Sequence, residues 1–208
     1  MRAIKTFLFL VACQCCLAGG DTNVIAISDW SKSVGTFYGQ SLRGRMLVAQ
    51  EHSPAHAGPW PETEVYLELQ NVSGAVGAPM QIYFDPGQGL RCEVLDTQGR
   101  PPPQMGGGGN GGGAGACCVT LPYDATIRLR ANMYGHGYRV GNGLYIQMCP
   151  PNAQHWVIQP SDTNVYFMSG TFTSSSPTNH VTSGPDDVPA IWSGTLEFPK
   201  MKVWPPKR

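Results

Sequence analysis

Apolar and polar residues alternate along most of the chain, and this period of two predicts β-strands. The alternation is clearest at residues 64–70. There Val65, Leu67 and Leu69 point to one side and the four other residues to the opposite side, which predicts one buried and one solvated face. The same alternation predicts further strands at residues 24–27, 45–49, 80–84, 90–95, 126–131, 144–148, 165–173, 192–198 and 201–204.

Turn-forming residues separate these strands, at positions 71–74, 85–87, 96–99 and 142–143. Asn71-Val72-Ser73 in the first turn has the form of an N-glycosylation sequon, but we interpret it as an Asx-type turn that ends the preceding strand. No window of about a dozen residues keeps a helical apolar stripe free of Gly or Pro. The pattern therefore predicts an all-β fold, an antiparallel immunoglobulin-like β-sandwich.

Two segments interrupt the alternation. Residues 100–116 combine a run of three prolines with residues 106–115, of which eight are Gly, and this composition predicts a long, flexible Pro/Gly-rich loop. Residues 174–189 are rich in Ser, Thr, Pro and Asp and predict an exposed connection. Neither segment has the character of a domain boundary, so we predict a single β-sandwich domain over residues 19–208.

The first 18 residues have the pattern of a secretory signal peptide. Arg2 and Lys5 precede the apolar run 7–12, and the small residues Cys16 and Ala18 suit cleavage after Ala18. An alternative interpretation takes residues 10–13 as a lipobox, with a lipid anchor on Cys13. The protein is therefore expected to be exported to the periplasm, the cell envelope or the extracellular space.

Charge excludes one class of partner. Without the two cations of the leader, the chain has 12 basic and 14 acidic residues, a net charge of −2. Proteins that bind nucleic acids usually carry an excess of basic residues, so this charge argues against a nucleic-acid partner. No later segment is long and apolar enough to predict a transmembrane helix.

Four cysteines remain after the leader: Cys92, Cys117, Cys118 and Cys149. An even number in an exported chain favours two disulfides. Adjacent cysteines rarely bridge each other, which leaves Cys92–Cys117 with Cys118–Cys149, or the swapped pairing. Free, buried cysteines are the alternative.

No catalytic, cofactor-binding or metal-ligating motif is recognisable. His52 and His56 are four residues apart, but Pro54 between them opposes the helix that would bring them together. His136, which lies among glycines, and His155 with Trp156 form a weak candidate surface site. The five tryptophans suggest a sugar-stacking platform, although their scattered positions favour packing in the core or under loops.

The order of strands and turns at residues 64–100, followed by residues 120–130, resembles the immunoglobulin-like β-sandwich of small bacterial envelope proteins and, distantly, the BsuPI-type proteinase-inhibitor domain. Four stretches resemble an uncharacterised group of exported planctomycete-type proteins, a resemblance that implies export but no assigned activity. They are residues 28–31 (SDWS), 42–45 (LRGR), 169–173 (SGTFT) and 192–199 (WSGTLEFP).

These observations favour an exported, non-catalytic envelope or interaction module without a cofactor, whose partner is an unknown protein or envelope component. The alternatives are a BsuPI-type proteinase inhibitor and an enzyme whose site is assembled from dispersed residues.

Overall fold

The computed structural model describes residues 22–36, 39–51, 62–73, 79–103, 116–132, 143–148, 154–159, 161–174 and 191–204. These residues form strands, turns and extended segments without a helix, so the all-β prediction is confirmed. The strands are β1 (Thr22–Ile27), β2 (Val34–Gly35), β3 (Ser41–Glu51), β4 (Glu62–Asn71), β5 (Met80–Phe84), β6 (Leu90–Asp96), β7 (Cys117–Leu121), β8 (Thr126–Arg130), β9 (Leu144–Gln147), β10 (His155–Ile158), β11 (Tyr166–Ser174) and β12 (Gly194–Val203).

All pairings between these strands are antiparallel, as predicted. One sheet has the order β1-β3-β4-β8, with β2 also paired to β3. A second sheet has the order β12-β11-β6, and two smaller sheets consist of β5-β7 and β10-β9. Gln81 and Ile191 form an isolated parallel bridge outside these ladders.

A hydrophobic cluster of buried residues contains side chains from all four sheets. Two glycines in this region allow the sheet containing β3 to approach the sheet containing β11 and β12 closely. A Cβ on Gly44 of β3 would lie 2.9 Å from Cε1 of Phe198 on β12, and a Cβ on Gly170 of β11 would lie 3.1 Å from Sδ of Met46 on β3. Glycine is needed at these positions because any side chain would occupy space that the opposite strand already fills.

The predicted strands at 192–198 and 201–204 are one strand, β12, with an irregularity in its middle. Met168 pairs with Met201 and Gly170 with Phe198, so Pro199 and Lys200 together oppose Ser169. This is a β-bulge, and it accommodates a proline that has no N–H to donate to the ladder.

Sequence alternation missed β2, β7 and β10. In β10 the side chains of Trp156, Val157 and Ile158 are all buried, so the strand has no polar face to produce an alternating pattern. β7 alternates in burial, but it comes directly after the Gly-rich run, and β2 has only two residues.

The prediction of a solvated face on β4 is wrong. Glu64 and Glu68 on that face are 1% and 6% exposed. β4 lies between β3 and β8, and arginines from both neighbours cover its carboxylates: Arg130 pairs with Glu64, and Arg45 and Arg128 pair with Glu68. Charged side chains can be buried in this way when they are paired.

Side-chain hydrogen bonds stabilise three of the predicted turns, at Asn71, Asp85 and Asp96. The fourth, at residues 142–143, lies partly outside the described residues. The Asn71 Oδ1 accepts hydrogen bonds from the backbone N–H of Ser73 at 3.1 Å and from its hydroxyl at 2.6 Å, which is the Asx-type turn expected from the sequence. Asn71 is 0% exposed, so a glycan could not attach to its side chain in the folded protein. Residues 104–115 and 175–190, which contain most of the predicted flexible loop and exposed connection, lie outside the described residues.

Candidate functional site

The outward surface of β3, β4 and β8 carries a group of charged, polar and aromatic side chains. It consists of Trp30, Arg43, Arg45, Glu68, Gln70 and Arg128, and we call it the arginine face. Arg45, Glu68 and Arg128 occupy one rung of the sheet, each on a different strand. Arg43 and Gln70 are paired on a neighbouring rung.

Two serines position Trp30. The backbone N–H of Met46 donates to Ser28 Oγ at 3.0 Å, and that of Gly44 donates to Ser31 Oγ at 3.0 Å. The backbone N–H groups of the same serines donate in return to the carbonyls of Met46 and Gly44, at 3.0 and 2.7 Å. The two serines therefore satisfy the backbone N–H and C=O groups of Met46 and Gly44 at the edge of β3. Trp30 lies between the serines in sequence and extends over the outward surface of the sheet.

The Trp30 ring contacts both β3 arginines. Its centroid lies 4.8 Å from Cζ of Arg43 and 4.5 Å from Cζ of Arg45, distances typical of cation–π interactions. The indole itself is only partly buried, so part of its apolar surface remains accessible beside the two cations.

Glu68 is the centre of the charged group. Arg45 Nε donates to its Oε2 at 2.7 Å, and Arg128 donates to its Oε1 from Nε at 3.0 Å and from Nη2 at 2.7 Å. Burial by itself raises the pKa of Glu68, but the hydrogen bonds from Arg128 and Arg45, together with their charges, outweigh it and hold the pKa below its usual value. Glu68 is therefore a fixed anion that holds two cations in place.

Arg43 is held in a similar way. Its Nε donates to Gln70 Oε1 at 2.9 Å, and Gln70 Nε2 donates to Asp124 Oδ1 at 3.3 Å. Among the described residues, the terminal nitrogens of Arg43 and Arg45 have no hydrogen-bond acceptor, and Arg128 uses only one of its two. The face therefore presents several guanidinium N–H groups whose side chains are already ordered.

The structure describes two residues of the candidate surface site at His136, His155 and Trp156, and it buries one of them. Trp156 is 2% exposed and lies in the hydrophobic core, so it cannot contribute to a surface site. His155 is partly exposed on β10, and its Nδ1 has no hydrogen-bond partner among the described residues. His136 lies outside the described residues.

The cysteines differ from the expected disulfide pattern. Both predicted pairings join Cys92 to Cys117 or Cys118, but Cys92 and Cys118 are free thiols in the structure, so neither pairing is present as predicted. Cys149 lies outside the described residues. Cys92 is buried beside Gly170, and this burial raises the pKa of its thiol to about 12. Cys118 is exposed on the outward side of β7.

The second sheet carries a shallow groove of about 400 Å³ on the surface of β6 and β11. Its lining includes Leu95, Phe167 and Asp96. The Asp96 carboxylate accepts hydrogen bonds from the backbone N–H groups of Arg100 and Gln98, at 2.9 and 2.8 Å, and these bonds lower its pKa. Asp96 thus stabilises its own turn.

Metal ligands are not clustered in the part of the chain that the structure describes: no three His, Cys, Asp or Glu side chains converge there. The same residues include no helical segment of the length and apolar character required to cross a bilayer.

The arginine face contains residues that the search for catalytic motifs did not select. The available signals were the SDWS and LRGR stretches, and the cross-strand pattern of basic residues on β3 and β8 opposite acidic residues on β4. The structure also connects four stretches of the sequence, at residues 28–31, 42–45, 169–173 and 192–199. Ser31 binds Gly44, Gly44 packs against Phe198, and Phe198 pairs with Gly170.

Comparison with known proteins gave no match: no family model, no curated protein and no solved structure aligned significantly with the chain.

Proposed function

We propose that the chain is an exported, non-catalytic interaction module that binds an anionic component of the cell envelope through the arginine face. The fold that we propose for the domain is the immunoglobulin-like β-sandwich expected from the sequence. Contacts of Gly44 with Phe198 and of Gly170 with Met46 support this arrangement, because they join the sheet containing β3 to the sheet containing β11 and β12.

A single observation carries the functional proposal: three arginines on one surface are ordered by the protein but retain donors for which the described residues provide no acceptor. Arginine side chains lose considerable rotamer freedom when they are fixed at an interface. Here Glu68, Gln70 and Trp30 already restrict them in the isolated protein. Ordered guanidinium groups of this kind are suited to bind carboxylate or phosphate oxygens.

Packing of the hydrophobic core does not by itself explain the charged side chains of the arginine face. Gly44, Gly170 and Phe198 contribute to contacts between sheets, whereas the Arg45 and Arg128 side chains are 29% and 44% exposed. Two of the three arginines pair with the buried Glu68, and Arg43 bonds Gln70 instead. These contacts use only part of the donors, and the donors that no described residue accepts from are better explained by binding than by stability.

The test is co-sedimentation of the mature protein with washed envelopes of its host, using two matched triple variants. R43Q/R45Q/R128Q removes the cations of the arginine face. R91Q/K200Q/K202Q removes three cations from exposed positions on the other sheet, so the change in net charge is the same.

We expect saturable binding of the wild type and of the control variant, and loss of binding by the arginine-face variant. Equal binding by the two variants would show that the arginine face is not the interface. Failure of all three proteins to bind would contradict the proposal.

The inhibitor and enzyme hypotheses stay predictions. Loss of protease activity in the presence of the protein, in a panel of proteases, would favour the inhibitor.

A further inference from the structure

We infer that the ligand of the arginine face is an acidic polysaccharide, whose carboxylates bind Arg43, Arg45 and Arg128 while a sugar ring packs against Trp30. This inference rests on the proposed function, because it specifies the chemical class of the partner at the same surface.

The charges of the face favour an anion. At its centre three arginines and one glutamate give a charge of +2, which Asp29 and Asp124 at its margins offset, and the mature chain as a whole has a charge of −2. Asp29 and Asp124 are exposed at its margins, and neither forms an ion pair with a described arginine. A polyanion is therefore attracted to the centre of the face and repelled at those two margins.

The spacing of the arginines favours a polymer over a small ion. Arg45 and Arg128 are separated by the whole width of β4, so their backbones are about 10 Å apart. Arg43 is two residues from Arg45 along β3, a separation of about 7 Å. The single carboxylate of Glu68 already lies between Arg45 and Arg128 and accepts from both. A ligand therefore contacts their remaining donors on separate sides of Glu68, and a chain with several anionic groups suits this arrangement.

The shape of the site also favours an extended chain. Sites for small molecules are usually concave clefts that enclose most of the ligand. The arginine face lies on the outward surface of paired strands, and the groove of about 400 Å³ is on the other sheet. A polymer that lies along a sheet surface needs no cleft, because it gains affinity from several separate contacts.

Trp30 distinguishes a polysaccharide from polyanions that carry no ring, such as an acidic peptide. The accessible part of its indole provides an apolar surface next to two guanidinium groups. A uronic acid matches this combination within one unit, since it carries an apolar ring surface and a carboxylate. The predicted export also places the protein where acidic polysaccharides occur, whereas nucleic acids are not the usual polyanions of an envelope.

The experiment is titration calorimetry of the full mature protein with polygalacturonate. Its fully methyl-esterified form serves as the uncharged control, and poly-glutamate and single-stranded DNA serve as other polyanions. The proteins are the wild type, W30A, R43Q, R128Q and the control variant R91Q/K200Q/K202Q, each checked for folding by its thermal transition.

We expect polygalacturonate to bind and the methyl ester not to bind. Loss of one charge-assisted arginine contact should weaken binding about tenfold in R43Q and in R128Q. W30A should weaken binding to polygalacturonate but not the residual electrostatic binding to poly-glutamate. The control variant should bind polygalacturonate like the wild type.

Three results would overturn the inference: no binding of polygalacturonate, equal affinity for poly-glutamate or DNA, or unchanged affinity in R43Q and R128Q. The envelope experiment separates this failure from failure of the proposed function. If R43Q/R45Q/R128Q loses envelope binding while polygalacturonate does not bind the wild type, the interface is correct and the ligand class is wrong.

Discussion

Phe198 packs directly against Gly44, with its Cε1 2.9 Å from the position that a Cβ on this glycine would occupy. Gly44 lies between Arg43 and Arg45 on β3, so the strand uses alternate residues for two tasks. Its inward side joins β3 to β12, and its outward side presents two arginines of the arginine face. Packing of the core and orientation of the candidate site are therefore linked through one strand.

Gly44→Ala should destabilise the protein. The new methyl group would meet Phe198, Leu69 and the backbone of β4, and overpacking of this kind costs about 1 to 3 kcal/mol. Gly35→Ala is the matched control, because the nearest atom to its Cβ is 3.7 Å away, and we expect a change within about 0.5 kcal/mol. Urea unfolding measures both, and equal midpoints for the two variants would contradict the packing described for Gly44.

Ser31→Ala should expose the edge of β3 and release Trp30. It removes the acceptor of the buried Gly44 N–H, and an unsatisfied buried donor costs about 1 to 3 kcal/mol. Hydrogen exchange at the Gly44 amide should become faster, whereas the exposed Ser33→Ala should leave it unchanged. Unchanged exchange in Ser31→Ala would mean that this hydroxyl does not hold the strand edge.

Glu68→Gln should lower stability near neutral pH and have a smaller effect in acid. The pKa of Glu68 in the folded protein lies below its ordinary value of 4.5, so the unfolded chain takes up the proton first as the pH falls. The stabilisation by Glu68 is thus complete above pH 4.5 and is lost as the pH falls through the lower folded pKa.

The measurement for this prediction is the difference in urea midpoint between wild type and Glu68→Gln, at pH 7 and at the lowest pH where both proteins fold. Glu197→Gln, at an exposed position on β12, is the control and should show a small difference throughout. A difference for Glu68→Gln that stays constant with pH would contradict the role of its charge.

The thiols should react in a fixed order. At pH 8 the exposed Cys118 should be alkylated in the native protein, whereas Cys92 should react only after unfolding, because it is buried and its pKa is about 12. Peptide mass mapping before and after denaturation distinguishes the two sites. Detection of a disulfide at Cys92 in protein purified without reductant would instead restore the pairing expected from the sequence.

Local patterns were sufficient to predict much of the fold. Alternation located β5 and β6 almost to the residue, because each has one buried face and one more accessible face. It did not predict β10, which is buried on both faces, and it wrongly predicted that Glu64 and Glu68 are exposed to solvent. Those carboxylates are buried only because arginines from β3 and β8 cover them, and this depends on which strands are neighbours.

The same dependence explains why the arginine face was not predicted. Trp30, Arg45, Glu68 and Arg128 are far apart in the chain, and they meet through the order β1-β3-β4-β8. Motif searches find residues at short, fixed spacing, such as those of metal sites. The tryptophan chosen for a surface site, Trp156, lies in the core, whereas Trp30 lies over the arginines.

We propose that the arginine face is covered when the protein binds the envelope. Oxidative footprinting of the wild-type protein measures this directly, without any mutation. Trp30 and Trp204 are a matched pair, since both are partly buried and each lies beside a basic side chain, but Trp204 follows β12 on the other sheet. We expect envelope binding to protect Trp30 from oxidation and to leave the oxidation of Trp204 unchanged. Protection of Trp204 with continued oxidation of Trp30 would contradict the proposal.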